Sequence, residues 1–292
     1  MRTSLSRLPL RGMTLALLVP SLLVWIAYFT LPDSRLRVSF LDVGQGDAIL
    51  IQQGSRQILV DGGPDPQRLV LALDRRLPFW DRSLDGIVLT QPQADHMAGL
   101  IEVLRRYKVG WALEPGVPSS TEGYKEWRRL VVERQIPPFE ARAGQKILLG
   151  SQASIEVLHP QQDFLKDTGE DVNNNSVVLR LEAGEVSLLL TADIQGEAEQ
   201  ELLFRSARLR STVLKVAHHG SVTSTSAAFL AVVQSQVAVI SLAVDNPFGH
   251  PSPQVIDRLT QMLGQNRVFI TSERGDIDLI TDGRRLWIKT ER

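Results

Sequence analysis

Short hydrophobic runs that end in Asp or His recur along this chain, and they restrict the folds open to it. Open α/β sheets collect chemically active residues at the carboxyl ends of their strands. A scatter of helix caps and surface histidines would not favour strand ends so consistently. The pattern therefore predicts an α/β fold with a functional site at one sheet edge. The residues that follow these five runs are Asp61, Asp95 with His96, Asp193, His218 with His219, and His250.

The corner that contains Asp95 and His96 has the order strand, tight loop and helix. A hydrophobic run, residues 86–89, leads into Thr90-Gln91-Pro92-Gln93-Ala94-Asp95-His96, and an amphipathic stretch, residues 97–107, follows. Asp and His supply the oxygen and nitrogen ligands that borderline divalent metals accept. Alone, this pair is more typical of a helix N-cap beside a surface histidine. Its repetition at other strand ends favours the functional interpretation.

Hydrophobic periodicity predicts alternating strands and helices from residue 37 onward. The turn Asp282-Gly283 lies between two alternating runs and predicts a β-hairpin over residues 276–289. The pattern alone indicates an α/β domain with two halves. Further strands are predicted at residues 37–43, 48–52, 57–61, 86–89, 110–113, 154–158, 176–181, 186–191, 212–216, 237–242 and 267–271, and helices at 66–76, 96–107, 120–134, 196–206, 224–233 and 252–263.

Several motifs together resemble a known family. The string SFLDVGQGDAIL at residues 39–50, Asp61-Gly62-Gly63, Asp95-His96 and His218-His219-Gly220-Ser221 are similar to the metallo-β-lactamase-like domain of ComEC-type DNA-internalisation (competence) proteins. The resemblance covers residue 35 to the C-terminus. It implies an α/β metallo-β-lactamase-like αββα sandwich, here preceded by one N-terminal transmembrane helix. The sequence contains no counterpart of the polytopic membrane portion or the DNA-binding portion of full-length ComEC proteins.

The resemblance also implies that the first of two metal sites is degenerate. The superfamily signature is His-x-His-x-Asp-His, and Gln91 and Gln93 occupy its first two ligand positions. A third ligand of the same metal is expected near Asn173 or Asn174. Amides are poor ligands for zinc, so this site is expected to be lost.

The second metal site that the resemblance implies is better kept. Its expected ligands are Asp95, His96, a bridging Asp193 and, as the late histidine, His250. Two carboxylates and two imidazoles suit one divalent ion, either Zn²⁺ or Mn²⁺. A metal-free relic, in which the amides fill the old site with hydrogen bonds, is the competing interpretation.

Other residues are expected to act beside the metal. Asp95 is assigned a catalytic role in addition to metal binding. His218 or His219 is expected to be a further ligand or a proton donor, and Lys215 to point at a substrate phosphate. The residues expected to support the site structurally are Asp47, Asp61 and Gly62.

The N-terminal residues predict a membrane anchor. Residues 13–31 carry no charge, and at about 1.5 Å per residue they nearly cross a hydrocarbon core of about 30 Å. Three arginines precede them, which places residues 1–12 in the cytoplasm and the domain of residues 35–292 outside it. A cleaved signal peptide is the alternative, but no clean small-x-small cleavage site follows. The predicted localisation is therefore the cell membrane, with a single span.

Composition narrows the range of functions that the chain can have. With a net charge of −1, the protein has no overall basic field that would attract nucleic acid. The absence of cysteine excludes thiolate metal ligands and cysteine nucleophiles. Three functions stay open. The first is a metal-dependent hydrolase of phosphodiesters such as single-stranded DNA, linked to DNA uptake and to a separate membrane channel partner. The second is a catalytically impaired DNA- or partner-binding domain. The third is a lactonase- or lactamase-type hydrolase of small substrates, since fold does not fix function.

Overall fold

The computed structural model describes residues 35–292 except 79, 151 and 206, together with residues 18, 20, 21 and 25. The strands are β1 Leu36–Phe40, β2 Ile49–Gln53, β3 Arg56–Val60, β4 Ser83–Leu84, β5 Gly86–Val88, β6 Lys108–Val109, β7 Ala112–Glu114, β8 Pro138–Glu140, β9 Lys146–Leu149, β10 Ala153–His159, β11 Val178–Ala183, β12 Val186–Leu190, β13 Val213–Lys215, β14 Val237–Ile240, β15 Val268–Ile270, β16 Ile277–Thr281 and β17 Leu286–Thr290. The helices are α1 Pro66–Asp74, α2 Ala94–Arg106, α3 Glu122–Glu133, α4 Asp171–Asn174, α5 Gly196–Phe204, α6 Ala227–Val233, α7 Pro253–Leu263 and α8 Thr271–Arg274, with 3₁₀ turns at Ala217–Gly220 and Gln265–Arg267.

Two mixed β-sheets make up the centre of the domain. One has the strand order β17-β16-β1-β2-β3-β5-β7-β8 and the other the order β15-β14-β13-β12-β11-β10-β9, while β4 and β6 form a small separate pair. In the first sheet β3, β5, β7 and β8 are parallel, and in the second β12 to β15 are parallel. The remaining neighbours are antiparallel, and several of them, such as β2 with β3, are joined by short hairpin connections.

Alternation along the strands produces three hydrophobic layers. In β2 the side chains of Ile49 and Ile51 lie between the two sheets, whereas Leu50 belongs to the layer under α1, α2 and α3. Leu188 of β12 likewise faces the inter-sheet core, and Leu189 the layer under α5, α6 and α7. Successive strand residues point to opposite faces, so one alternating sequence builds both layers at once. The predicted αββα sandwich is therefore confirmed.

Most of the predicted elements are present with shifted ends. The strand expected at residues 37–43 is β1, Leu36–Phe40, and the hairpin expected at 276–289 is the β16–β17 pair. Ser226 and Ser252 cap α6 and α7 by accepting hydrogen bonds from the backbone N–H groups of Phe229 and Val255. The sequence pattern does not predict β8, the last strand of the first sheet, or β9, the last strand of the second.

The predicted anchor, residues 13–31, lies almost entirely outside the described residues. Within the described part of the chain, no helix combines the length and the apolar character that a membrane span needs. The domain that carries the site begins with β1, directly after Arg35.

Candidate metal centre

Four side chains converge where the parallel strands of both sheets end. Asp95 and His96 come from the start of α2, Asp193 follows β12, and His219 lies in the 3₁₀ turn after β13. One ligand atom from each residue lies within 4.8 Å of the others. The Nε2 atom of His96 is 3.1 Å from Asp193 Oδ2 and 3.8 Å from Asp95 Oδ2.

His219, rather than His250, completes this group. Its Nε2 atom is 3.4 Å from Asp193 Oδ2 and 3.7 Å from Asp95 Oδ2. The candidate metal groups of the described residues do not include His250. The structure does not bring the predicted ligand His250 into the group; its ring packs against His218 and Phe248, with centroids 5.5 and 5.8 Å away.

A hydrogen bond to Asp61, which Thr90 supports in turn, fixes the ring of His96 on the side away from the ligand group. Its Nδ1 donates to Asp61 Oδ2 at 2.8 Å, and Asp61 also accepts hydrogen bonds from the backbone N–H and hydroxyl of Thr90 at 2.8 and 2.6 Å. With Nδ1 bonded to Asp61, Nε2 is the ring nitrogen that faces Asp193. A carboxylate behind a histidine is a common support for a metal ligand, because it fixes the tautomer and the ring orientation.

His219 is held by its backbone conformation and by a carbonyl group. Its Nδ1 donates to the Ser241 carbonyl oxygen at 2.7 Å, which leaves Nε2 as the atom that faces the group. His218 and His219 both have positive φ angles, 48° and 53°. Positive φ is strained for residues other than glycine and concentrates at functional sites. This turn directs the two neighbouring rings to different sides of the site.

Buried charges of opposite sign surround these ligands. Burial is the largest influence on the pKa of His96, but Asp193, Asp61 and Asp95 outweigh it and raise that pKa well above its usual value. Burial of His219 is likewise outweighed by neighbouring carboxylates, chiefly Asp193, and its pKa rises to about 10. The pKa of Asp193 is well below its usual value, because His219, His96 and Lys215 outweigh its burial.

The structure places Lys215 in the interior, away from the open side of the centre, although the sequence predicts that it points at a substrate phosphate. Its side chain is fully buried, donates from Nζ to the Ala192 carbonyl oxygen at 2.9 Å, and forms an ion pair with Asp47. The Nζ atom also lies 3.5 Å from Asp193 Oδ1. The cause is strand alternation: Val213 faces the space between the sheets, so Lys215, two residues later, faces it too.

Amides occupy the other side of Asp193. Gln91 is fully buried, and its Nε2 donates to Asp193 Oδ2 at 3.1 Å and to Gln93 Oε1 at 3.2 Å. Its Oε1 accepts a hydrogen bond from the Ser176 hydroxyl at 2.6 Å. Gln91 and Gln93, two of the predicted degenerate ligand positions, thus join a network of amide and hydroxyl hydrogen bonds that ends on the Asp193 carboxylate. Ser176 directly follows the Asn173–Asn175 run, in which a ligand was expected, but no role was predicted for Ser176 itself.

The expected amide from the Asn173–Asn175 run does not join this network. Asn174 Oδ1 accepts hydrogen bonds from the backbone N–H groups of Gln195 and Ala198, at 3.0 and 3.3 Å, and its Nδ2 donates to Glu197. Asn174 therefore caps the start of α5 instead of facing Gln91. Asn173 is buried in α4, and no hydrogen bond from its side chain to Gln91 or Gln93 is present among the described residues.

His218 and His250 lie on the solvent side of the centre. Both are partly exposed, and Asp95 beside them has a side chain that is 32% exposed. His218 Nδ1 lies 3.4 Å from Gln195 Nε2, which donates to it and leaves the ring hydrogen on Nε2. Burial is the main cause that lowers the pKa of both histidines. Neutral imidazoles thus line the side from which a substrate would enter.

Two glycines allow the loops to close around the ligands. A Cβ atom on Gly62 would lie 2.4 Å from the Leu100 backbone nitrogen, and one on Gly46 would lie 2.1 Å from the Asp95 carbonyl oxygen. Gly46 also has a φ of 147°. Only glycine permits these approaches of the Asp47 and Asp61 loops to α2.

The residues present fit one divalent ion. A tetrahedral metal with bonds of about 2.0–2.2 Å holds its ligand atoms about 3–4 Å apart, which is close to the separations measured here. His219 Nε2 is buried and has no hydrogen-bond partner among the described residues. An ion that binds here must displace the protons of His96 and His219, because metal ligands are deprotonated.

The comparison with known proteins agrees with this geometry. The model of the metallo-beta-lactamase superfamily matches residues 41–244. The chain therefore belongs to the metallo-beta-lactamase superfamily, as the motifs predicted.

Relatives of the chain include two large bacterial proteins. ComE operon protein 3 of Bacillus subtilis is 28% identical over 262 residues, which cover 84% of this chain and 33% of that protein. Recombination protein 2 of Haemophilus influenzae is 30% identical over 253 residues, which cover 82% of this chain and 30% of that protein. The chain spans about a third of the length of these relatives. They confirm the predicted resemblance to competence-type proteins.

The fold recurs in solved structures. The metallo-beta-lactamase fold protein YhfI from Bacillus subtilis superposes with a TM-score of 0.55 at 12% identity, over 87% of this chain and 100% of that one. At this identity the likeness establishes the fold alone.

Proposed function

We propose that this chain is a metal-dependent hydrolase of phosphate esters that works with one divalent ion, Zn²⁺ or Mn²⁺. The observation that carries the proposal is the convergence of Asp95, His96, Asp193 and His219 at a sheet edge that stays open through Asp95. A catalytic metal site keeps one position for substrate or water. A bound ion would supply Lewis-acid chemistry toward a phosphoryl oxygen.

The chain's own residues would position the substrate and handle protons. The Nε2–H group of His218 can donate to a substrate oxygen, since Gln195 occupies Nδ1. His250 and the exposed ring of Phe248 would flank the same entrance. Asp61 would keep His96 oriented through Nδ1. Lys215 contributes no direct contact, because it is fully buried.

The proposed substrate class is a phosphodiester, with single-stranded DNA as the first candidate. The name of the relative Recombination protein 2 supports a nucleic-acid substrate. The net charge of −1 indicates that any DNA binding would rely on the metal and local contacts rather than a basic surface. A separate membrane channel would be the natural partner of such an activity.

The test compares substrates on the purified full-length chain with Mn²⁺ or Zn²⁺ added. We expect hydrolysis of a phosphodiester reporter, such as bis(p-nitrophenyl) phosphate, and none of a β-lactam or a thioester. Asp95→Ala should abolish the activity, whereas Asp65→Ala, which removes the N-cap of α1, should retain it. Hydrolysis of the lactam or thioester alone would contradict the proposal.

We also propose that residues 13–31 anchor the protein with residues 35–292 outside the cytoplasm. The support is the uncharged run and the three arginines before it. Protease added to intact cells, or to spheroplasts if an outer membrane is present, should digest the domain. A domain that is fully protected until the membrane is broken would contradict this topology. A fragment without residues 1–32 should be soluble and folded.

A second candidate function is binding without hydrolysis. The observation in its favour is the hydrogen bond from Gln91 to Asp193, which satisfies with a neutral amide the side where the family places a first metal. Metal content separates the candidates: a chain that takes up no ion even with added Zn²⁺ or Mn²⁺ would be the binding module.

A further inference from the structure

The ammonium group of Lys215 is enclosed by oxygen atoms in the centre of the molecule. Its neighbours are Asp47 Oδ2, the Ala192 carbonyl oxygen at 2.9 Å and Asp193 Oδ1 at 3.5 Å. A lysine is almost never fully buried unless it is paired. Here the pairing connects the two sheets, since Asp47 precedes β2 and Asp193 follows β12.

The carboxylate of Asp193 is shared between Lys215 and the candidate metal ligands. Its Oδ1 faces Lys215, whereas its Oδ2 faces His96 at 3.1 Å and His219 at 3.4 Å. The second candidate cation group of the described residues, Asp47 with Asp61 and His96, lies directly beside it. One cation, Lys215, is thus already bound between these two groups.

The charges of this region allow one divalent ion beside Lys215. The carboxylates of the two groups are Asp47, Asp61, Asp95 and Asp193. Lys215 and one divalent ion leave a single negative charge, whereas Lys215 and two divalent ions would exceed the carboxylates. The ammonium group also fills the space between Asp47 Oδ2, Asp193 Oδ1 and the Ala192 carbonyl oxygen, so the lysine and a second ion in that position exclude each other.

We propose that Lys215 is a resident cation that fills a second cation position, formed by Asp47 Oδ2, Asp193 Oδ1 and the Ala192 carbonyl oxygen, and thereby limits the centre to one metal. It is a positioning residue, because it holds Oδ1 of Asp193 and leaves Oδ2 for the ligand group. The position offers only oxygen atoms, which suit Mg²⁺ and Mn²⁺ better than Zn²⁺. The inference rests on the proposed metal centre, but its readout is metal content and not hydrolysis.

The experiment measures Mn²⁺ bound per chain after equilibrium dialysis, with the purified full-length protein and its Lys215→Ala variant. We expect about one Mn²⁺ in the unmodified chain and about two in Lys215→Ala, because the shortened side chain opens the position while the oxygen ligands stay. The matched control is Arg76→Ala, which removes another largely buried cation, paired with Asp276 and Asp278, and should leave the count at one.

The folding of Lys215→Ala gives a second readout. If the variant needs metal to fold, Mn²⁺ should restore it with two ions bound, and its melting temperature should rise with Mn²⁺ more steeply than that of the unmodified chain. A Lys215→Ala protein that binds one ion or none, or that millimolar Mn²⁺ does not fold, would overturn the inference. If the unmodified chain bound no ion and Lys215→Ala bound one, the proposed function would fail and the inference would stand.

Discussion

Both sides of Asp193 are built from residues that lie at the ends of strands, but their chemistry differs. On one side the ring nitrogens of His96 and His219 lie close to the carboxylate oxygens of Asp193 and Asp95. On the other side Gln91 donates an amide hydrogen to Asp193 Oδ2 at 3.1 Å and is itself bonded to Ser176. The fold alone therefore does not determine the number of metals; the identity of a few side chains at fixed positions does.

The comparison also shows that burial alone does not mark a metal ligand. Gln91 is as buried as His96, yet both of its polar atoms have hydrogen-bond partners. His219 Nε2, in contrast, is buried without a hydrogen-bond partner among the described residues. A buried polar atom without a partner is costly and needs an explanation, and a metal ion provides one on the ligand side only.

The largest effect is expected from His96→Ala. This change removes one of four ligand side chains and leaves Asp61 and Asp193 as buried carboxylates without their shared imidazole. Metal affinity should fall by more than about 100-fold, beyond the usual cost of losing a supporting group. Isothermal titration with Zn²⁺ measures this. The control is His159→Ala, which removes a buried histidine bonded to the Asn174 carbonyl and should keep the affinity. Equal losses in both variants would contradict the assignment.

The next effect distinguishes His219 from His250. His219→Ala should lower metal affinity by about 100-fold or more, because a ligand is lost. His250→Ala should change it only a few-fold, since its ring contacts His218 and Phe248. The same titration applied to both variants checks this. A larger loss in His250→Ala would restore the ligand set that the motifs predicted.

A smaller loss of metal affinity is expected when the support of a ligand, rather than a ligand itself, is changed. Asp61→Asn keeps the shape of the side chain but weakens the acceptor for His96 Nδ1–H. Metal affinity should fall by about 10- to 100-fold, as is typical for such supporting carboxylates. The control for a general effect of charge is Asp65→Asn, which removes the charge of the N-cap residue of α1. An unchanged affinity in Asp61→Asn would show that Asp61 does not orient the ring.

The smallest effect is expected on the amide side. Gln91→Ala removes the hydrogen bonds to Asp193, Gln93 and Ser176 but no ligand, so metal content should change little. Stability should fall by about 1–3 kcal/mol, because the Ser176 and Asp193 partners are left unsatisfied. Metal analysis and denaturant unfolding measure the two quantities separately. Loss of the metal in Gln91→Ala would remove the distinction between the two sides of Asp193.

Much of the fold could be predicted from the sequence, because alternation within strands and the Asp282-Gly283 turn are local signals. The strands β8 and β9 were missed since they are short and mostly exposed, so they carry almost no hydrophobic alternation. The placement of Asp95, His96 and Asp193 together also followed from their positions at strand ends.

The choice between His219 and His250 could not be made from the sequence. It depends on the left-handed backbone of the 3₁₀ turn and on the Ser241 carbonyl, which lies 22 positions away along the chain. The role of Lys215 could have been found, because alternation from Val213 already directs it between the sheets. Its partner Asp47 is distant in sequence, and only the packing of the two sheets brings them together.

The most direct test of a single centre on the ligand side is the number of metal ions per chain. The purified full-length protein would be dialysed against Zn²⁺ or Mn²⁺ and analysed by elemental mass spectrometry, with His96→Ala beside it. We predict about one tightly bound ion per chain and almost none in His96→Ala, because the amide side offers no charge or imidazole. Two tightly bound ions in the unmodified chain, or one ion that survives His96→Ala, would contradict this account.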